Sequence, residues 1–87
     1  MERKQVYRII DEERQYQDQK WGDIQLRPKQ VGSYLTLMRH LLTKAENSWA
    51  GSSSDIQAMH EIRQLVAVGV ACMEQHEAIP RSQNIIS

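Results

Sequence analysis

Between Leu65 and Met73 the sequence Leu-Val-Ala-Val-Gly-Val-Ala-Cys-Met runs nine residues without a polar side chain. This is half of what a bilayer span needs, so the run belongs inside a fold or an interface and no membrane partner is expected. Wound as a helix it is apolar on every face for more than two turns, whereas a lone three-helix domain covers only about half of any one helix. An 87-residue chain buries only around 60 to 65 per cent of the surface that its unfolded form exposes, which leaves part of the run uncovered. Gly69, set between small neighbours, permits close helix approach. The expectation is a homodimer or homotetramer formed through Leu65, Val66, Val68, Gly69 and Met73. The alternative is that the first helix and the C-terminal tail wrap both sides of the run.

Four glycines and two prolines leave three long segments free of breakers. The first, from about Glu2 to Lys20, places Val6, Ile9, Ile10 and Tyr16 at helical spacing. Trp21-Gly22-Asp23 closes it, and the stretch from Ile24 to Val31, with Pro28 inside, reads as a loop. Ser33 is the expected N-cap of a second helix that carries Tyr34, Leu37, Met38, Leu41 and Ala45 and ends near Trp49. Ala50 to Ser53 reads as a turn, and Ser54-Asp55-Ile56-Gln57 has the form of a capping box that opens a third helix running to about Glu77. The fold class is therefore all-α, a three-helix subunit with helices two and three as an antiparallel hairpin, oligomerising through the third helix. Residues 1–80 form the single domain and residues 81–87 a tail, in which Ile85 and Ile86 could dock on a neighbouring chain.

Charge and reactive side chains narrow the function. Eleven Lys and Arg balance eleven Asp and Glu, so the basic excess of a duplex-DNA binder is missing. The single cysteine, Cys72, excludes an internal disulfide and a Cys-rich zinc site, and inside the apolar run it serves as a small hydrophobe. No apolar leader follows Met1, which points to a reducing cytoplasm. His40, His60 and His76 have no H-x-x-x-H spacing, and neither a Gly-rich phosphate loop nor a G-x-S-x-G element occurs.

Carboxylates on helices remain, the arrangement with which an all-helical site can hold Mg2+. The candidates are Glu13, Asp18, Glu46 and Glu61; across the hairpin Glu46 and Glu61 lie within about one turn of each other and could share an ion. Against this, most surface glutamates on helices are simply solvated. Trp21 and Trp49, at helix ends, read as lids over a small core, with stacking on a base as the alternative.

Glu13-Arg14, Gln17-Asp18, Lys20 and Trp21-Gly22 resemble the E-R-x-x-Q-D-x-K-W-G opening of small phage and prophage proteins related to the MazG-like all-α nucleoside triphosphate pyrophosphohydrolases. Glu61 to Val68 resembles the E-L-x-Q-V-A-A-V segment of the same proteins. The resemblance implies dimers or tetramers of helical hairpins and Mg2+-dependent cleavage of a nucleoside triphosphate to monophosphate and pyrophosphate, with Glu61 as the catalytic carboxylate if activity is kept.

The chain departs from that pattern where the family holds its metal. The acidic cluster of the family's middle helix falls near His40, Leu41 and Lys44, none of them acidic, and Gln64 stands where the second motif has aspartate. From Ile24 through Ala45 the chain has no acidic residue but carries Arg27, Lys29, Arg39, His40 and Lys44. The surface that holds a cation in the enzymes could here meet an anion. The expected ligand-binding set is Arg39, His40, Lys44, Gln64 and Trp21, for a nucleotide or other phosphorylated ligand, with hydrolysis weakened or lost. Two alternatives stay open: an active Mg2+ enzyme, and a protein-interaction module whose basic patch docks on an acidic partner. The plainest reading is that Arg39 and Lys44 pair with the acidic run from Asp11 to Glu13.

Overall fold

The computed structural model describes residues 1–52 and 55–82. Three helices account for the architecture: α1 (Arg3–Trp21), α2 (Val31–Ser52) and α3 (Asp55–His76). The α2–α3 contacts descend in register, with Met38 against Gly69 and Lys44 against Glu61, as an antiparallel pair requires. Their shared core is Tyr34 and Leu41 from α2 with Val68 and Ala71 from α3, flanked by Leu37, Met38, Leu65 and Cys72.

At the start of α1 the Gln5 side chain accepts the Glu2 amide at 2.7 Å, half of a capping box. The helix ends at Gly22, whose φ of 86° is costly for any residue with a Cβ and whose amide donates to the Asp18 carbonyl. α2 starts earlier than the expected Ser33 cap: the Gln30 carbonyl accepts the amides of Ser33 and Tyr34, which places Ser33 inside the first turn. It also ends later, because Ala50 and Gly51 continue the helix to Ser52 instead of turning. One helical glycine near a terminus costs only about 1 kcal/mol, too little to stop a helix packed along its whole length. Ser54, the expected cap of the third helix, and the tail residues Ile85 and Ile86 lie outside the described residues.

α1 packs on α3, and of the expected apolar stripe only the middle is covered. Ile9 and Ile10 are half-buried and Val6 and Tyr16 exposed, while the fully buried residues of α1 are Arg14 and Gln17, which continue the face of Ile10. The neighbours Glu13 and Arg14 reach Arg63 and Glu74, positions about 16 Å apart along α3, so α1 crosses it steeply. Ala67, with no exposed surface, and Ala71 line α3 near this crossing, where small side chains let helices come close.

α1 and α2 together cover two flanks of α3, which takes Val68 and Leu65 out of the expected oligomer face. Val68 is 1% exposed inside the subunit, and Gly69 faces Met38 across the hairpin seam. Leu65 packs against the core, whereas Val66 and Met73 are open to solvent. Among the described residues no helix is long and apolar enough to cross a membrane.

Candidate functional site

The loop between α1 and α2 is short, and side chains from the end of α3 fix its shape. Asp23 starts it with a turn: its carbonyl accepts the amides of Leu26 and Arg27, and its carboxylate accepts that of Gln25 at 2.8 Å. Ile24 points inward and is buried. The far end is gripped by Gln75, whose Oε1 accepts both the Lys29 amide at 3.0 Å and the Tyr34 hydroxyl at 2.7 Å, while its Nε2 donates to the Lys29 carbonyl. His76 Nε2 also meets that carbonyl, at 2.7 Å, and its ring stands edge-on to Tyr34. Lys29 thus has a fixed backbone, and its ammonium lies 5.6 Å from the centre of the Tyr34 ring.

Burial raises the Tyr34 phenol above its ordinary pKa, the nearby Cys72 thiol adds to the shift, and Arg14 opposes it. The phenol therefore remains a donor to Gln75 well into alkaline conditions. Arg14 is the other buried polar anchor. Its Nε donates to Glu74 at 2.6 Å, and its two terminal nitrogens reach Gln17 and Asp18. Burial alone would lower the guanidinium pKa, but the hydrogen bonds and charges of Glu74 and Asp18 outweigh it and the net shift is upward. Asp18 and Glu74 are consequently spent on Arg14.

These anchors frame a groove of about 660 Å³ lined by Lys20, Trp21, Arg27, Pro28, Lys29 and Leu37. Its lining contains three cations, an indole and no carboxylate. The Lys20 ammonium lies 5.7 Å from the Trp21 ring centre. The Arg27 stem passes 3.5 Å from where a Cβ on Gly22 would stand, so the glycine both ends α1 and seats the arginine. Beneath the groove a cavity of about 20 Å³, enough for one water molecule, lies among Arg14, Gln17, Asp18 and Tyr34.

Compared with protein-family models, curated proteins and solved structures, the chain has no match. The geometry of its own residues therefore carries the functional reading.

The expected ligand set is not brought together as a set. Trp21 lines the groove; Gln64 lines a separate hollow beside Glu13, Tyr16, Lys20 and Arg63; neither space is lined by Arg39, His40 or Lys44. Arg39 and His40 are exposed on α2, and Arg39 points about 140° around the helix from Lys44. The pairing of Arg39 and Lys44 with the Asp11 to Glu13 run is also corrected. Lys44 lies 3.7 Å from Glu61, and Glu13 is taken by Arg63 at 2.8 Å. Arg63 in turn contacts His60 Nδ1 at 2.9 Å.

Glu61 is largely enclosed, its side chain 15% exposed, and its Oε2 is buried without a hydrogen-bond partner. Glu46 is exposed on α2. Among the described residues no group of three or more His, Cys, Asp or Glu side chains could hold a metal ion. Of the two tryptophans read as core lids, Trp49 is mostly exposed, whereas Trp21, 40% exposed, lines the small cavity together with the core residues Tyr34, Val68 and Ala71. Arg27 and Lys29 were visible as part of the basic stretch, but the role of Gln75 had no sequence signal, because a glutamine on a helix ordinarily only favours helix formation.

Proposed function

We propose that this chain is a phage-type relative of the MazG-like pyrophosphohydrolases that works in the cytoplasm as a self-associating protein and holds a nucleotide, or another phosphate-bearing ligand, without hydrolysing it. The observation that carries the reading is the groove lining of Lys20, Trp21, Arg27 and Lys29 with no acidic side chain. Arginine and lysine meet phosphate oxygens by charge-assisted hydrogen bonds. An exposed indole beside them offers a flat face on which a base can stack.

Loss of hydrolysis is supported by the surroundings of Glu61. Pyrophosphohydrolysis needs a divalent ion to bridge and neutralise the phosphates, and Mg2+ requires a near-octahedral shell of hard oxygens. The residues here do not fit that demand. Of the two enclosed carboxylates, Glu13 is bound by Arg63 and Glu61 faces the Lys44 ammonium, and each of these cations repels a metal ion at short range. One observation favours the active-enzyme reading: Glu61 Oε2 is buried with no hydrogen bond, only the Lys44 ammonium at 3.7 Å, and such an atom is one that an ion satisfies.

Calorimetry in excess EDTA with a nucleoside triphosphate, its monophosphate and inorganic phosphate separates the readings. The expected result is saturable nucleotide binding that Arg27→Ala and Trp21→Ala each weaken about tenfold or more. Binding that appears only with Mg2+, with pyrophosphate release abolished by Glu61→Gln, supports the enzyme instead. No heat with any nucleotide refutes the ligand reading and leaves a module that binds an acidic protein partner.

A further inference from the structure

We propose that the end of α1 takes a ligand with two bases joined through phosphate, whether a free dinucleotide or two neighbouring nucleotides of a single strand. The first base lies on Trp21, the linking phosphate on Lys20 and the second base on Tyr16. This rests on the phosphate groove described above and extends it, because the groove uses only one of the two rings beside Lys20.

The position of Lys20 carries the inference. Its ammonium lies 5.7 Å from the centre of the Trp21 ring and 6.0 Å from that of Tyr16, and these side chains are 40% and 55% exposed. Around the helix Lys20 falls between them, about 40° from Tyr16 and about 100° from Trp21. Among the described residues Lys20 forms no salt bridge. An ammonium held by aromatic rings and by no carboxylate keeps its charge for an anion. Lys20 also lines two spaces at once: the cationic groove with Trp21, Arg27 and Lys29, and a hollow of about 310 Å³ with Tyr16 and Gln64. The two spaces are therefore neighbours that meet at one cation.

Charge decides what each space holds. The groove, lined by three cations and no carboxylate, suits phosphate. In the hollow Glu13 already accepts from Arg63 at 2.8 Å, so that pair cancels and Lys20, at the boundary, is the one uncompensated charge. An uncharged ring fits the hollow better than a second phosphate. Tyr16 supplies a face for stacking. Gln64 is partly buried, and only its backbone carbonyl is engaged, by Gln17. Its carboxamide is left with a donor and an acceptor for the edge of a base. Tyr16 and Trp21 leave α1 about 140° apart, so two bases stacked on each other cannot reach both rings. The site selects bases splayed to either side of their phosphate, as unstacked nucleotides present them and a duplex does not.

Calorimetry in excess EDTA with adenosine monophosphate, the 5′-phosphorylated dinucleotide of adenosine and a short oligodeoxyadenylate strand tests the proposal. The dinucleotide is expected to bind about tenfold or more tighter than the monophosphate, the gain from one further stacked base. Tyr16→Ala should erase that gain and leave monophosphate binding as it was, while Tyr16→Phe should keep the gain and Trp21→Ala should weaken both ligands. Circular dichroism confirms that each variant stays helical. A strand that binds as tightly as the dinucleotide, and more weakly as salt rises, assigns the ligand to single-stranded nucleic acid. A strand that is rejected while the dinucleotide binds assigns it to a free dinucleotide. A dinucleotide no tighter than the monophosphate overturns the proposal and leaves the groove reading standing, as does a gain that survives Tyr16→Ala. Absence of binding by all three ligands removes the groove reading and the proposal together.

Discussion

Replacing Gln75 with methionine keeps the length and approximate volume of the side chain but removes the amide that ties the end of α3 to the first loop. In the native chain that amide accepts from the Lys29 backbone and the Tyr34 hydroxyl and donates to the Lys29 carbonyl. After the substitution the carbonyl still has His76 Nε2 as a partner, so it is not orphaned. Two donors are. Tyr34 is 1% exposed, so its hydroxyl loses its protein partner away from bulk water, while the Lys29 amide is partly exposed and suffers less. At ~1 to 3 kcal/mol for a buried unpaired donor and less for a half-exposed one, the expected loss is about 2 to 3 kcal/mol. That is a large share of the ~5 to 10 kcal/mol that holds a domain of this size together. Urea unfolding followed by circular dichroism reads the change as a lower midpoint at unchanged slope. A loss below about 0.5 kcal/mol refutes the reasoning and means that the loop holds its shape without Gln75.

Alkaline titration gives a second expectation. The Tyr34 pKa is raised in the folded state, so the stability linked to its proton is fully present below the ordinary tyrosine value and is lost as the pH rises through the raised one. Unfolding midpoints measured on both sides of pH ~10 should fall on the alkaline side for the wild type and much less for Tyr34→Phe. Arg14→Met should cost about 1 to 2 kcal/mol, not the ~3 to 5 kcal/mol of a fully buried pair, because Asp18 and Glu74 keep nearly half of their side-chain surface in water and screening relieves them. Denaturant titration at low and high salt measures this, and a salt-independent loss argues against it. Gly22→Ala should lower the thermal midpoint by several degrees, an effect of roughly 1 to 2 kcal/mol from forcing a Cβ into positive φ.

The helix count, the hairpin and the position of the first loop were legible because long segments free of breakers leave little choice of element. The core of α2 was legible for the same reason, since Tyr34, Leu41 and Ala45 recur at helical spacing and all three are buried. The face on which α1 docks was legible in part. Hydrophobic periodicity pointed to Val6, Ile9, Ile10 and Tyr16, of which Ile9 and Ile10 are half-buried; the steep crossing over Ala67 leaves Val6 and Tyr16 exposed and brings Arg14 and Gln17 inward, and no pattern of apolar residues encodes a crossing angle. Ser33 misled because a cap preference of about 1 kcal/mol is smaller than the gain from extending a packed helix by one turn. At the site, Trp21 was found by its place beside Gly22, and Arg27 and Lys29 by the charge pattern. Lys44 was misassigned because its partner Glu61 lies 17 positions away in sequence and becomes its neighbour only through the hairpin register.

Holding α1 by Arg14 and Gln17 has a kinetic corollary. A helix seated on greasy area can slide or rotate by small steps at little cost, whereas one seated on a forked guanidinium must release several directional bonds together before it moves. Its detachment should therefore be all-or-none, and, since α1 packs on α3 less extensively than α2 does, should happen more often than opening of the α2–α3 hairpin. Amide hydrogen exchange would register this as two tiers. The amides of α1 should exchange as one cooperative block at a lower opening energy, while those around Leu41 and Val68 should wait for global unfolding.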